Sequence, residues 1–236
     1  MALSSPPIAL YPSRRQVGIA LAVAIAGVLT VTIFGLFVAR APAVTRADLA
    51  VLLSLNRLHV GAIGAGATLV YAVFSPVPAI VMTAAAAAGI WLRSRRLSVA
   101  LTFAVVVAVA WLPSALVKAV VQRPRPDPDF LPYPFATQPS DASYPSGHEV
   151  FVATVAVVAF LMVRGTAARV LVATAGLVVV TTVGLSVAID GVHYLTDIAA
   201  SVLWACTTVP AIMLLWRRWT LPSLVRQLQA RRWNLS

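Results

Sequence analysis

The chain is dominated by long apolar runs closed by arginine, and this pattern constrains its fold more than any other feature. The runs cover residues 17–39, 77–92, 97–121, 149–163, 168–187 and 194–216. At about 1.5 Å of helical rise per residue, about 20 residues cross a hydrocarbon core about 30 Å thick. A backbone in lipid must satisfy its own hydrogen bonds, so uninterrupted runs of this kind can only be helices. The expected fold is all-α: an integral membrane bundle of six helices, forming a single transmembrane domain over residues 1–236. Composition agrees, because 60% of residues are hydrophobic and only 11% are charged, too few to cover a soluble surface. The net charge of +11 would suit nucleic acid. The arginines, however, flank the apolar runs, as they do in membrane proteins, so no nucleic-acid partner is expected. Arg14 and Arg15 precede the first run as in a signal peptide. That run is too long for a signal core, so a retained first span is expected. Cys206 is the single cysteine and has no partner for an intrachain disulfide or a metal site; helix packing accounts for it.

Residues 40–57 are mixed in character and read as a loop followed by an interfacial helix. Residues 58–75 are apolar but glycine-rich, and suit an interfacial, re-entrant or crossing segment; the interfacial region as a whole is placed at 45–75. If 58–75 does not cross, six spans put twelve of the 18 basic residues on the side of the N-terminus. Arg40, Arg46, Arg57, Lys118, Arg123 and Arg125 remain on the other side. The positive-inside rule then makes both termini cytoplasmic in a multi-pass cell-membrane protein. The tail from Thr220 to Ser236 is basic and amphipathic.

Three segments carry chemistry: 118–126, 145–148 and 186–197. In the first, Lys118, Arg123 and Arg125 crowd beside prolines on the side that should be poor in cations. A lysine at a span end can simply snorkel, but three cations at a rigid turn also make a cradle for phosphate. The second, Pro145-Ser146-Gly147-His148, closes a proline-rich loop and opens a span. Serine and glycine there suit an ordinary N-cap, or an anion site at a helix N-terminus. His148 is what a cap alone leaves unexplained. In the third, His193 and Asp197 are four residues apart and share one helix face. A carboxylate so placed can hold an imidazole in one tautomer and stabilise its cation. An even number of crossings separates the three segments, so they meet at one membrane face, the extracytoplasmic one.

Together the segments resemble the type 2 phosphatidic acid phosphatase family, whose signature is KxxxxxxRP, then PSGH, then SRxxxxxHxxxD. Lys118 with Arg125-Pro126 fits the first motif, Pro145 to His148 the second, and Ser186, His193 and Asp197 the third. The resemblance implies a membrane lipid phosphatase without metal or cofactor. His193 would be the nucleophile, His148 the acid and base, and Asp197 the partner that orients His193. Lys118, Arg125, Ser146 and Gly147 would bind phosphate. The substrate would be a lipid phosphomonoester or diphosphate: polyprenyl diphosphate (undecaprenyl diphosphate in a cell envelope) first, then phosphatidate or phosphatidylglycerol phosphate. One departure stands out: Val187 occupies the position of the family's arginine. Arg123 is a candidate to replace that cation, and Asp190 would repel phosphate unless it turned away or paired with Arg123. A weak or silent lipid-phosphate-binding relative is the alternative. A transporter is a second, disfavoured because no span carries an ionisable group at its middle. Oligomeric state is not specified by the sequence.

Overall fold

The computed structural model describes residues 12–137 and 139–223. The basic tail expected from Thr220 onward, with Arg226, Arg231 and Arg232, falls outside the described residues beyond 223. The described residues are all-helical, in nine α-helices: α1 (Arg14–Val38), α2 (Pro42–Asn56), α3 (Gly61–Val73), α4 (Pro76–Ser94), α5 (Leu97–Trp111), α6 (Ser114–Val121), α7 (Gly147–Met162), α8 (Thr166–Ile189) and α9 (Leu195–Leu215). The six spans and the interfacial region expected thus take the form of nine helices among the described residues. One added break lies at Pro113, which has no N–H to continue the ladder, so the 97–121 run divides into α5 and α6. The others arise because the interfacial region folds as two helices, α2 and α3, rather than one.

Helices α1, α4, α8 and α9, and α5 taken with α6, are long and apolar enough to cross a membrane. Helix α7 is apolar but has only 16 residues, a rise of about 24 Å. Helices α2 and α3 are bent by 118° at their junction. The 13 residues of α3 rise only about 20 Å, less than a hydrocarbon core of about 30 Å. The bend is held by side chains. Asn56 Nδ2 donates to the carbonyls of Tyr133 (2.9 Å) and Ile189 (2.8 Å), and Asn56 Oδ1 accepts from Tyr133 N (2.9 Å). Gly61, at φ +53, takes the left-handed turn that starts α3.

Helix α9 is the central post, packed against α1, α5 and α7. Two glycines of α1 allow its close approach. A Cβ at Gly27 would fall 2.1 Å from Thr207 Oγ1 on α9, and one at Gly35 would fall 2.4 Å from the Tyr144 ring. Small residues let helix backbones approach closely where lipid supplies no hydrophobic drive for association. Tyr144 then donates to the Val31 carbonyl at 2.6 Å, which ties the long loop before α7 to α1. Large apolar side chains such as Ile19, Ile33, Leu171 and Leu177 stay exposed on the outside of α1 and α8. On a multi-pass membrane protein these are the lipid-facing surfaces. Most of the buried polar groups, among them Arg123, Ser143, Ser146, His148, His193 and Asp197, lie where the α6–α7 loop, the N-terminus of α7 and the α8–α9 turn meet.

Candidate active site

The α8–α9 turn sets the site. The backbone N–H groups of Val192 and His193 donate to the Val187 carbonyl (3.1 and 3.3 Å), and Gly191 at φ +74 reverses the chain. His193 is thereby fixed just before α9, 1% exposed. Its Nδ1 lies 3.5 Å from Asp197 Oδ2, close for an ion pair, although no aligned hydrogen bond forms. On the other side of the ring, Arg125 Nη1 lies 3.2 Å from Nε2. A guanidinium can only donate, so Nε2 accepts and the ring proton sits on Nδ1, facing the carboxylate. The unprotonated nitrogen therefore faces the cation. Burial holds the His193 pKa well below the usual histidine value, and the charges of Arg125, Lys118 and His148 push the same way.

Arg125 is anchored by its own hydrogen bonds to the carbonyls of Val192 (2.7 Å) and Asp141 (2.9 Å). The Asp141 carboxylate bridges the two cradle cations, at 2.6 Å from Lys118 Nζ and 2.7 Å from Arg125 Nη2. Burial alone would raise the Asp141 pKa. The hydrogen bonds and charges of Lys118 and Arg125 outweigh it and hold the group at about 2. Two cations already share one anion beside the His193 nitrogen, as a phosphate site requires.

The remaining expected residues divide. His148 lies in the first turn of α7, its ring stacked on Tyr71 of α3 with centroids 4.2 Å apart, and Nε2 has no hydrogen-bond partner among the described residues. Phe135 packs on the far side of Tyr71, 4.9 Å between centroids. Ser146 caps α7, its Oγ accepting from Glu149 N at 3.5 Å, and Gly147 begins the helix, its carbonyl taking the Trp111 indole N–H at 3.1 Å. Ser146 is fully buried and is seen here as a cap rather than in the Lys118–Arg125 cradle. Ser186 Oγ turns back to the Thr182 carbonyl. Val187 is fully buried in an apolar cluster with Phe151, Val152, Val183 and Val192.

Arg123 does not sit in the cradle, contrary to the expectation that it replaces the missing cation. It is 1% exposed, with Nη1 at 2.6 Å from Asp197 Oδ1 and Nη2 at 3.0 Å from Asp48 Oδ2. Two carboxylates attract a guanidinium more strongly than a vacant anion site does. Nor does Asp190 pair with Arg123. It is buried at the end of α8, 3.3 Å from His59 Nε2 and 3.4 Å from Thr68 Oγ1. The sequence reading missed Asp48, Asp141 and Tyr71. Asp141 carried a signal, an acid in the loop between two motifs; Asp48 and Tyr71 carried none, because they come from segments far upstream. Among the described residues, no group of three or more His, Cys, Asp or Glu is placed to hold a metal ion.

A bundle of apolar helices with two histidines and two cations gathered at one end has the architecture of a membrane protein. The PAP2 superfamily model matches residues 96–221, more than half of the chain, and the protein belongs to that superfamily. Among solved structures, its fold is similar to the crystal structure of a transmembrane PAP2-type phosphatidylglycerolphosphate phosphatase from Bacillus subtilis. That match has 21% identity and a TM-score of 0.64, and covers 82% of this chain and 93% of that one. No curated protein matches it. Superfamily and fold together make it a multi-pass membrane protein of phosphatase type.

Proposed function

We propose that the chain hydrolyses a phosphomonoester or diphosphate carried on a lipid, through a phosphohistidine at His193. One observation carries this reading: Arg125 donates to His193 Nε2, which leaves the unprotonated nitrogen facing the cation that would hold the phosphate. In the first step the Nε2 lone pair attacks phosphorus and the P–O bond to the lipid breaks. The departing oxygen takes a proton from His148. The imidazole, now N-phosphorylated and cationic, is stabilised through Nδ1–H by Asp197. In the second step His148 takes a proton from water, the resulting hydroxide attacks phosphorus, and the P–N bond breaks to restore Nε2. Lys118 and Arg125 hold the non-bridging oxygens throughout, and the Gly147 N–H at the start of α7, which Ser146 caps, completes the cradle. Before this can begin, the substrate phosphate must displace the Asp141 carboxylate.

Six crossings (α1, α4, α5 with α6, α7, α8 and α9) would put this site at the extracytoplasmic face with both termini inside. The lipid chain would approach from the bilayer between helices. Among lipid phosphates, a polyprenyl diphosphate is the first substrate to test, with phosphatidate and phosphatidylglycerol phosphate beside it. Purified protein in detergent, assayed on these three without added metal, should release phosphate, and His193→Ala should abolish release. Undiminished release from that variant would exclude the mechanism. Val187 supports a second reading, a slow enzyme or a lipid-phosphate binder, because no described cation takes the place of the family's arginine in the cradle. That reading expects saturable binding of lipid phosphate with turnover near background in the wild type.

A further inference from the structure

The buried trio of Arg123, Asp48 and Asp197 enters the steps above only through Asp197, yet it is among the most enclosed groups of the molecule. Asp48 belongs to α2, an amphipathic helix far from the three motifs in sequence. Its Oδ1 accepts from the backbone N–H of Leu195 (3.1 Å) and Thr196 (3.4 Å), at the start of α9. Its Oδ2 accepts from Arg123 at 3.0 Å and from the Thr196 hydroxyl. Arg123 Nη1 is shared between Thr196 Oγ1 at 2.7 Å and Asp197 Oδ1 at 2.6 Å, and its guanidinium lies 4.0 Å over the Tyr194 ring. Asp197 Oδ2 is left for the Tyr194 N–H at 3.0 Å and for His193 Nδ1 at 3.5 Å. The carboxylate that faces the candidate nucleophile is thus held by the Tyr194 N–H, by Ser143 and by Arg123, which Asp48 positions in turn.

The charges matter as much as the geometry. A buried carboxylate is costly to ionise, and Arg123, the Tyr194 N–H and Ser143 together offset that cost at Asp197. Arg123 alone would cancel the charge of Asp197 and leave nothing to offset an imidazolium. Asp48 restores a net charge of −1 to the trio, which matches the +1 that His193 gains on attacking phosphorus. We propose that Asp48 and Arg123 are positioning residues for the reaction proposed above, locking Asp197 in one orientation and setting the charge it presents to His193. This proposal rests on that reading of His193 as nucleophile.

The other charged and titratable groups around His193 are Arg125 and Asp141 from the loop, Lys118 from α6 and His148 from α7. None of them is altered by changing Asp48 or Arg123, so two variants isolate the trio. Asp48→Asn removes a negative charge, makes His193 harder to protonate, and should move the acid limb of kcat/KM to lower pH. Arg123→Met removes a positive charge and should move that limb to higher pH. Both should lower kcat about 10- to 100-fold, the range seen when groups that orient a reactive ligand are lost, with KM changed far less. A merely structural role would lower stability or both kinetic constants without shifting the two limbs in opposite directions. Limbs that stay in place, or that move together, would overturn the proposal. Titration of His193 by ¹⁵N NMR in histidine-labelled protein supplies the same readout without turnover. A wild type that releases no phosphate but whose His193 titration shifts oppositely in the two variants would sink the enzyme reading alone. If either variant fails to fold, the wild-type spectrum decides: His193 must carry its proton on Nδ1 at neutral pH, and a proton on Nε2 would overturn the proposal.

Discussion

At the scale of single residues, Asp141 sets the state of the unliganded site. Its carboxylate holds Lys118 and Arg125 at 2.6 and 2.7 Å, so a phosphate must break two charge-assisted hydrogen bonds before it can make its own. Asp141→Asn keeps an acceptor but removes the competing charge. KM for lipid phosphate should fall about tenfold with kcat nearly unchanged, since about 1.4 kcal/mol is less than two such bonds contribute. A raised KM would mean that Asp141 helps to organise the cradle rather than competing for it. Lys118, Arg125, His148, His193 and Asp197 were legible as candidates because each is an ionisable residue in a short motif beside an apolar run. The helix spacing expected for His193 and Asp197 was not needed, since His193 lies in the turn before α9. Asp141 was not, because a proline-rich loop has no period from which to place its side chains. Arg123 was legible as a cation but not as a buried one; its partner Asp48 lies in α2, and nothing local in the sequence joins the two.

At the scale of elements, the apolar runs foretold the long helices, since in lipid the length of a run decides whether a helix can cross. They could not place 58–75, where glycines and a polar flank suit several geometries. Tertiary contacts hold its start: Asn56 bonded to Tyr133 and Ile189, and His59 beside Asp190 and Thr68. Asp190 gives this anchorage a pH dependence. Burial pushes its carboxyl up to about 6, against the opposing pull of His59 and Thr68. An unfolded aspartate titrates near about 3.9. The folded chain therefore holds this proton more tightly, and stability from Asp190 is complete below the unfolded value and lost as pH rises through about 6. The thermal midpoint in detergent should decline between pH 4 and 7, and Asp190→Asn should flatten that slope. An equally steep slope in the variant would assign it to other groups.

At the scale of the whole molecule, two hydrogen bonds bring helix ends together. Arg218 donates to the Pro12 carbonyl at 2.5 Å, joining the start of α1 to the end of α9, and the Trp216 indole N–H donates to Thr102 near the start of α5 at 2.8 Å. The face opposite the candidate site thus gathers the first residues of α1 and α5 with the last of α9. Arg14, Arg15, Arg93, Arg95 and Arg96 flank the same helix ends. The positive-inside rule would turn this arginine-rich face to the cytoplasm and the Lys118–Arg125 cradle outside, where a phosphate presented from the outer leaflet would meet it. Single cysteines can decide the orientation once the exposed Cys206 is replaced by alanine. Asp129→Cys, in the exposed loop beside the cradle, should react with a membrane-impermeant thiol reagent on intact cells. Ser94→Cys, exposed at the end of α4, should react only after the membrane is opened. The reverse pattern would place the cradle in the cytoplasm, and with it the phosphate released by the reaction proposed above.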